Sequence, residues 1–244
     1  MIRLLVLLLF GMTILSCNKD EKGDLVLRFK LKYGSDDLRM FETYSYPMTG
    51  EALTFTKVAF YISDIRVTNG QKSTDLKDID FIDFTTSHTA PAASNGFEYR
   101  LKDVAAGNYN SFSFNIGVPA SLNSKEPKDF PSSNVLSNPA EYWTAWKSYI
   151  FMRNEGRIDL DNDGTTESSF ALHIGGDAAL IPIILNRNFN IDDKATTSLD
   201  ITIDMEKLFN GQSLYDIRAA RQIHSLSQMP FILQLSENIR TGIK

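Results

Sequence analysis

Leu25-Val26-Leu27-Arg28-Phe29-Lys30-Leu31-Lys32-Tyr33 places Leu25, Leu27, Phe29, Leu31 and Tyr33 on one side of an extended chain and Arg28, Lys30 and Lys32 on the other. A period of two is the mark of a half-buried strand. The same signature recurs along the chain. Phe55 to Val67 is a long β-rich run and Phe81 to Phe84 a short one. Phe97, Tyr99 and Leu101 alternate, as do Phe112, Phe114, Ile116 and Val118, and then Leu199, Ile201, Ile203 and Met205. Asn69-Gly70, Asn95-Gly96 and Ala106-Gly107-Asn108 supply turns between them. Many short strands at modest spacing predict a mainly β fold, an antiparallel β-sandwich.

Two stretches break the pattern. Asn138-Pro139-Ala140-Glu141 has an N-cap, a proline for the first helical position and a capping-box Glu, which predicts a short helix over about 138–147 carrying Trp143 and Trp146. A second helical excursion is expected over about 205–226, where Leu214, Ile217 and Ile223 form an apolar stripe. A last apolar segment, Pro230 to Leu235, follows it. Residues 123–138, rich in Ser, Asn, Pro and Lys, read as loop. With no internal repeat and no long linker, residues 25–244 are expected to form one β-sandwich domain.

The chain has 244 residues, 43% hydrophobic and 23% charged, enough for a substantial core. Its net charge of −5 offers no basic footprint, which argues against nucleic acid as a partner. Residues 1–16 carry one cation, Arg3, and then an apolar run shorter than the roughly 20 residues a membrane-spanning helix needs. They read as a signal peptide. The lone cysteine, Cys17, ends that run in a context resembling a bacterial lipobox, so lipidation of Cys17 is expected to hold the mature chain on the membrane. Residues 17–24 then form a tether whose Lys19-Asp20-Glu21 resembles a surface-export signal. The expected location is the outer membrane, as a lipoprotein facing the periplasm or the cell surface. One cysteine and three histidines exclude a disulfide framework and cysteine-rich zinc sites.

HExxH, GxSxG, P-loop and GxGxxG signatures are all missing, so the expected role is not enzymatic. Asp159, Asp161 and Asp163, with Gly164 for the turn, Thr165 for a carbonyl and Glu167 at the ninth place, have the alternation of a calcium loop. The twelfth place, where an EF-hand needs Glu, is Phe170. The same residues also read as an acidic hairpin tip without an ion. In Ser169-Phe-Ala-Leu-His-Ile-Gly-Gly176, Phe170, Leu172 and Ile174 share a face, so His173 points the other way beside small Ala171. That leaves room for a metal or for a backbone partner. His224 lies at the edge of the second apolar stripe, and His88 reads as an exposed loop residue. Trp143 and Trp146, three apart, read as core or contact aromatics.

Four blocks, Lys57 to Val67, Gly107 to Val118 with Leu122-Asn123, Trp143 to Gly156 and Phe170 to Gly175, together resemble the methanobactin-associated periplasmic copper-binding protein family, the MbnP-like proteins. Leu208-Phe209-Asn-Gly211, His224-Ser225 and Glu237-Asn238 follow in that family's order. The resemblance implies a β-rich extracytoplasmic protein binding copper through histidines, here His173 and His224. It also implies a tryptophan, Trp143 or Trp146, open to oxidation to kynurenine by a partner di-haem oxidase. Imidazole suits copper chemically. The chain departs from the pattern at Gly176-Asp177-Ala178-Ala179, where members with the modified tryptophan carry a cysteine pair, and it has no tryptophan near His173 in sequence. The expected function is copper acquisition or buffering. The alternative is a surface-binding or assembly lipoprotein, for a glycan or an outer-membrane transporter partner, in which Trp143 and Trp146 form an exposed contact surface.

Overall fold

The computed structural model describes residues 21–244, so the signal peptide and Cys17 lie outside the described residues, as do the first four tether positions. The Leu25–Tyr33 alternation becomes the strand Lys22–Tyr33 in a four-stranded sheet. Leu25, Leu27, Phe29 and Leu31 are buried, while Arg28 and Lys30 each reach Asp200 on the next strand at 3.2 Å. Arg28 also meets Glu98 on the other flank at 3.1 Å. Opposite charges across strands satisfy the polar face. One neighbour departs from the antiparallel expectation: Thr196–Asp204 runs parallel to Lys22–Tyr33, with Phe29 opposite Ile201. Alternation reports which side chains share a face and is silent about strand direction.

The second sheet has eight strands and is organised by the 18-residue strand Ala52–Asn69. Ser148–Ile158 pairs along its first half, Ser111–Ile116 along its second, and Lys72–Asp83 along the opposite edge. The uninterrupted apolar stretch from Val58 to Ile62 within the long strand follows from burial on both faces. Phe60 and Ile62 join the main core, whereas Tyr61 packs on the reverse side with Leu136, Tyr149 and Phe151. Phe29 of the first sheet meets Phe60 and Phe114 of the second edge-on at 6.0 and 5.9 Å. The two sheets therefore pack face to face around aromatic contacts, in the mainly β architecture the alternations predict.

The helical segments are shorter and differently placed than their sequence signals suggest. Asn138 does cap a turn, its side chain accepting from the Ala140 N–H, but the result is a single 3-10 turn, Pro139–Glu141. Tyr142–Trp143 then extends and pairs with Ser148 and Tyr149, through a reversal that uses Lys147 at φ 52°. Cross-strand packing of two aromatics outweighs a four-residue cap signal. Over 205–226 the one described α-helix is Lys207–Asn210, and Tyr215, Ile217 and Ile223 are buried from irregular chain. The longest described helix is Met229–Arg240, with Pro230 in its first turn and Ile232, Leu235 and Ile239 buried along one stripe. Ending the apolar segment at Leu235 hid that spacing.

Candidate metal centre

His173 lies on the edge strand Ser168–Gly175, opposite Arg153 of Ser148–Ile158, while Ala171 stands opposite Glu155. The other edge of this strand is free for one more segment. Ala171 donates its N–H to the Arg221 carbonyl and accepts from the Ile223 N–H, both at 2.9 Å. These two bonds lay residues 221–223 along the edge and deliver His224 beside His173, their ring centroids 5.8 Å apart. Trp143 stacks on His224 at 4.9 Å with planes 17° apart, and meets His173 edge-on at 5.7 Å. Behind it Trp146, 4% exposed, contacts Trp143 at 4.7 Å. A Cβ at Gly175 would press on the Tyr149 carbonyl and the Trp146 ring, so this glycine makes room for the tryptophan.

The hydrogen bonds fix how both imidazoles face the site. His173 is 3% exposed, and its Nε2 lies 2.8 Å from Glu155 Oε1. That hydrogen bond, helped by Arg153, holds the Glu155 carboxyl below its ordinary range against the opposing effect of burial. An ionised carboxylate only accepts, so His173 Nε2 carries the proton. Burial pushes His173 below the ordinary histidine value, with Glu155 partly offsetting it, and the ring stays neutral. Its Nδ1 is then a bare lone pair, buried and without a hydrogen-bond partner among the described residues. His224 repeats the arrangement at the surface. Its Nε2 lies 2.8 Å from Gln222 Oε1, whose amide nitrogen donates to the Ser169 carbonyl at 2.9 Å and so turns the amide oxygen toward the histidine. Both rings offer Nδ1.

Glu155 is braced in turn. Arg153 bonds Glu155 at 3.1 Å and Glu141 at 3.1 Å, and Lys57 stands 3.9 Å from Glu141. Glu141 is 4% exposed, and its burial raises the carboxyl pKa while Arg153 and Lys57 pull it down. The chain of charges anchors the carboxylate that orients His173.

The spacing of the two rings lies within what one shared ion allows. With an imidazole nitrogen about 2.0–2.1 Å from a metal, a ring centroid stands about 3 Å from it, so two rings on one ion have centroids within ~6 Å. The observed 5.8 Å meets that limit. A cleft of about 370 Å³, lined among others by Thr56, Glu155, Ser169 and Gln222, opens onto the two histidines. Neutral imidazoles are donors for copper, zinc or nickel.

The fold therefore joins His173, His224 and Trp143, although no tryptophan is near His173 in sequence. Trp143 reaches the histidines from a strand, where a helix was expected. Sequence reasoning passed over Glu155, which entered only as part of the Trp143 to Gly156 block. Its signal was the two-residue spacing from Arg153, which puts an ion pair on one face of an otherwise apolar strand. The acidic loop is elsewhere. Asp159, Asp161, Asp163 and Glu167 bring one oxygen each within 4.8 Å of one another, with Asp159 buried and the others exposed. Asp159 accepts the Asp163 and Gly164 N–H groups at 3.2 and 2.9 Å, and Asp163 accepts the N–H and hydroxyl of Thr165 at 2.8 and 2.6 Å. His88 is exposed, its nearest ring being Phe41 at 6.5 Å.

Fold and site thus define a β-sandwich with a His–Trp–His cluster on a sheet edge. Residues 22–226 match the MbnP family model, and the chain belongs to the MbnP family. Its structure is similar to that of MbnP from Methylosinus trichosporium, with a TM-score of 0.54 and 12% identity over 78% of each chain, a likeness of fold. No curated protein matches the chain.

Proposed function

We propose that this protein binds copper between His173 and His224, serving acquisition or buffering outside the cytoplasm and catalysing no reaction itself. The observation that carries this reading is His173 Nδ1, a buried nitrogen lone pair without a hydrogen-bond partner among the described residues, on a ring 5.8 Å from a second histidine. A buried polar atom without a partner costs stability, so its retention beside His224 argues for a ligand there. Family membership narrows the choice among imidazole-loving metals to copper. Trp143 would be the tryptophan oxidised by a di-haem partner, a reading supported by its contacts with both histidine rings, with Trp146 packed behind it. Attachment through lipid on Cys17 would place the site at the outer membrane. The alternative of an exposed tryptophan contact surface fits less well, since Trp146 is buried and Trp143 is half-buried under His224.

The test is Cu(I) reconstitution of the mature chain without its lipid, followed by dialysis against a competing chelator. About one copper per chain is expected to remain, and His173→Ala to weaken retention about 100-fold or more, since loss of an outer-shell partner alone typically costs 10–100-fold. Equal retention by wild type and His173→Ala, both folded by circular dichroism, would sink the assignment.

A further inference from the structure

At the far end of the long strand lies a second cleft, of about 530 Å³, with a different character. Thr56 borders the histidine cleft and Asn69 borders this one, and both belong to Ala52–Asn69. At about 3.3 Å per residue the two are roughly 40 Å apart, so the sites are separate.

Five of the eight lining residues are asparagines and none is charged, in a chain where 23% of residues are. Asn108 and Asn190 are cross-strand partners on the two-stranded ribbon of Gly107–Tyr109 and Phe189–Ile191, and Asn110 and Asn188 flank it. Between them Tyr109 and Phe189 stack at 5.3 Å with planes 22° apart, and half-buried Phe189 gives the wall an aromatic surface. Asparagine is common in loops for two structural reasons, left-handed backbone and side-chain bonds to nearby backbone. Neither operates here. None of the five has positive φ; the described asparagine that does is Asn162. The side chains of Asn69, Asn108, Asn110 and Asn188 make no hydrogen bond to the described residues, and only Asn190 is engaged, by Asp192.

What remains is a neutral concavity with four free amides, each both donor and acceptor, beside an aromatic face. A ligand matching it is uncharged, dense in groups that donate and accept, and apolar on one face. That describes a pyranose ring, whose hydroxyls pair with amides and whose C–H face packs on an aromatic. We infer that this cleft binds a neutral oligosaccharide, independently of the metal centre.

The test follows the asparagine side-chain amides by ¹⁵N NMR during titration with maltotriose, cellotriose and triacetylchitotriose, with trigalacturonate as the acidic control. At least one neutral trisaccharide is expected to shift the amides of Asn69, Asn108, Asn110 and Asn188. Asn108→Ala/Asn188→Ala should weaken it about tenfold or more, as expected for lost hydrogen bonds to a ligand. The residues are exposed, so the double variant should keep its circular dichroism and melting temperature. Asn110→Asp, which adds a charge, should weaken it as well. His173→Ala should leave the titration unchanged even if it binds no copper, which separates this inference from the proposed function. Retention on starch, cellulose or chitin would mark a polymer-borne ligand, and binding of trisaccharide alone a free one. The inference is overturned if no neutral trisaccharide moves these amides, if the shifts survive the double variant, or if trigalacturonate binds as tightly.

Discussion

The histidine cleft and the acidic loop are both groups of metal-ligating side chains, and they are built in opposite ways. At the cleft, oxygen acceptors hold the Nε2 side of each ring, Glu155 for His173 and Gln222 for His224, and buried His173 Nδ1 has no hydrogen-bond partner among the described residues. At the loop, Asp159 and Asp163 are occupied by the backbone N–H groups of the loop itself. Exposure alone does not separate them: His173 and Asp159 are each 3% exposed, while His224 and Asp161, Asp163 and Glu167 face solvent. Spacing of ligand-type residues is the weaker guide to a site; what decides is whether the fold leaves the donor atoms unspent. Buried Asp159 accepts two N–H groups of its own loop, whereas buried His173 Nδ1 has no hydrogen-bond partner among the described residues.

The most disruptive single change to the cleft should come from a residue with no side chain. Gly156 follows Glu155 at a register irregularity between Ser148–Ile158 and Ala52–Asn69, and a Cβ there would overlap the Thr54 carbonyl oxygen and the Phe170 ring. Gly156→Ala is expected to destabilise the fold by about 3 kcal/mol, the upper range for forced overpacking. At about 2–4 °C per kcal/mol for a chain of this size, the melting temperature should fall by roughly 6–12 °C. A change within about 2 °C would show that the irregularity relaxes and does not fix Glu155 in place.

Glu155→Gln probes the orientation of His173 with less damage to the fold. Copper retention should fall about 10–100-fold, the usual cost of removing a partner that orients a ligating histidine. Long-range ¹⁵N–¹H spectra of the metal-free protein should show the Nε2–H form of His173 in the wild type and a mixture of tautomers in the variant. Unaltered retention together with an unaltered tautomer would mean that packing by Trp143 and the strand edge orients the ring without Glu155.

Much of the sandwich was legible because burial of one sheet face writes a period of two, as at Leu25–Tyr33 and Phe112–Val118. The parallel partner Thr196–Asp204 was not, since direction leaves no trace in alternation. His173 was legible as a residue on the strand face away from Phe170, Leu172 and Ile174, beside small Ala171. Its pairing with His224 depends on two backbone bonds from Ala171, and any sequence can make such bonds. Trp143 was misplaced because the Asn138 cap is genuine while the helix after it is not; the competing hairpin is decided by contacts with Ser148 and Tyr149. The asparagine cleft escaped notice because its members come from three separate stretches, 69–70, 108–110 and 188–190, and Asn69-Gly70 reads most simply as a hairpin signal.

Calcium should give the smallest effect, and it tests the contrast directly. The loop is closed by its own hydrogen bonds, so an ion would have to replace contacts that already exist as well as draw exposed carboxylates together. Mutual repulsion is present: Asp161 is raised above its ordinary value by desolvation and by the nearby charge of Asp163. An ion relieves that repulsion, which favours weak binding, in the 10⁻⁴–10⁻³ M range typical of extracellular calcium modules. At 5 mM calcium a site of millimolar affinity would contribute about 1 kcal/mol through mass action, a rise of roughly 2–4 °C in melting temperature. Asp161→Ala should abolish the rise while changing the calcium-free melting point little, because the hydrogen bonds to Gly164 and Thr165 run through Asp159 and Asp163. A larger rise, well above 4 °C, would place the loop beside the cleft as a built site and break the distinction between spent and unspent donors. No rise at all would leave Asp159 and Asp163 as the hydrogen-bonded frame of a hairpin tip, with the other carboxylates simply solvated.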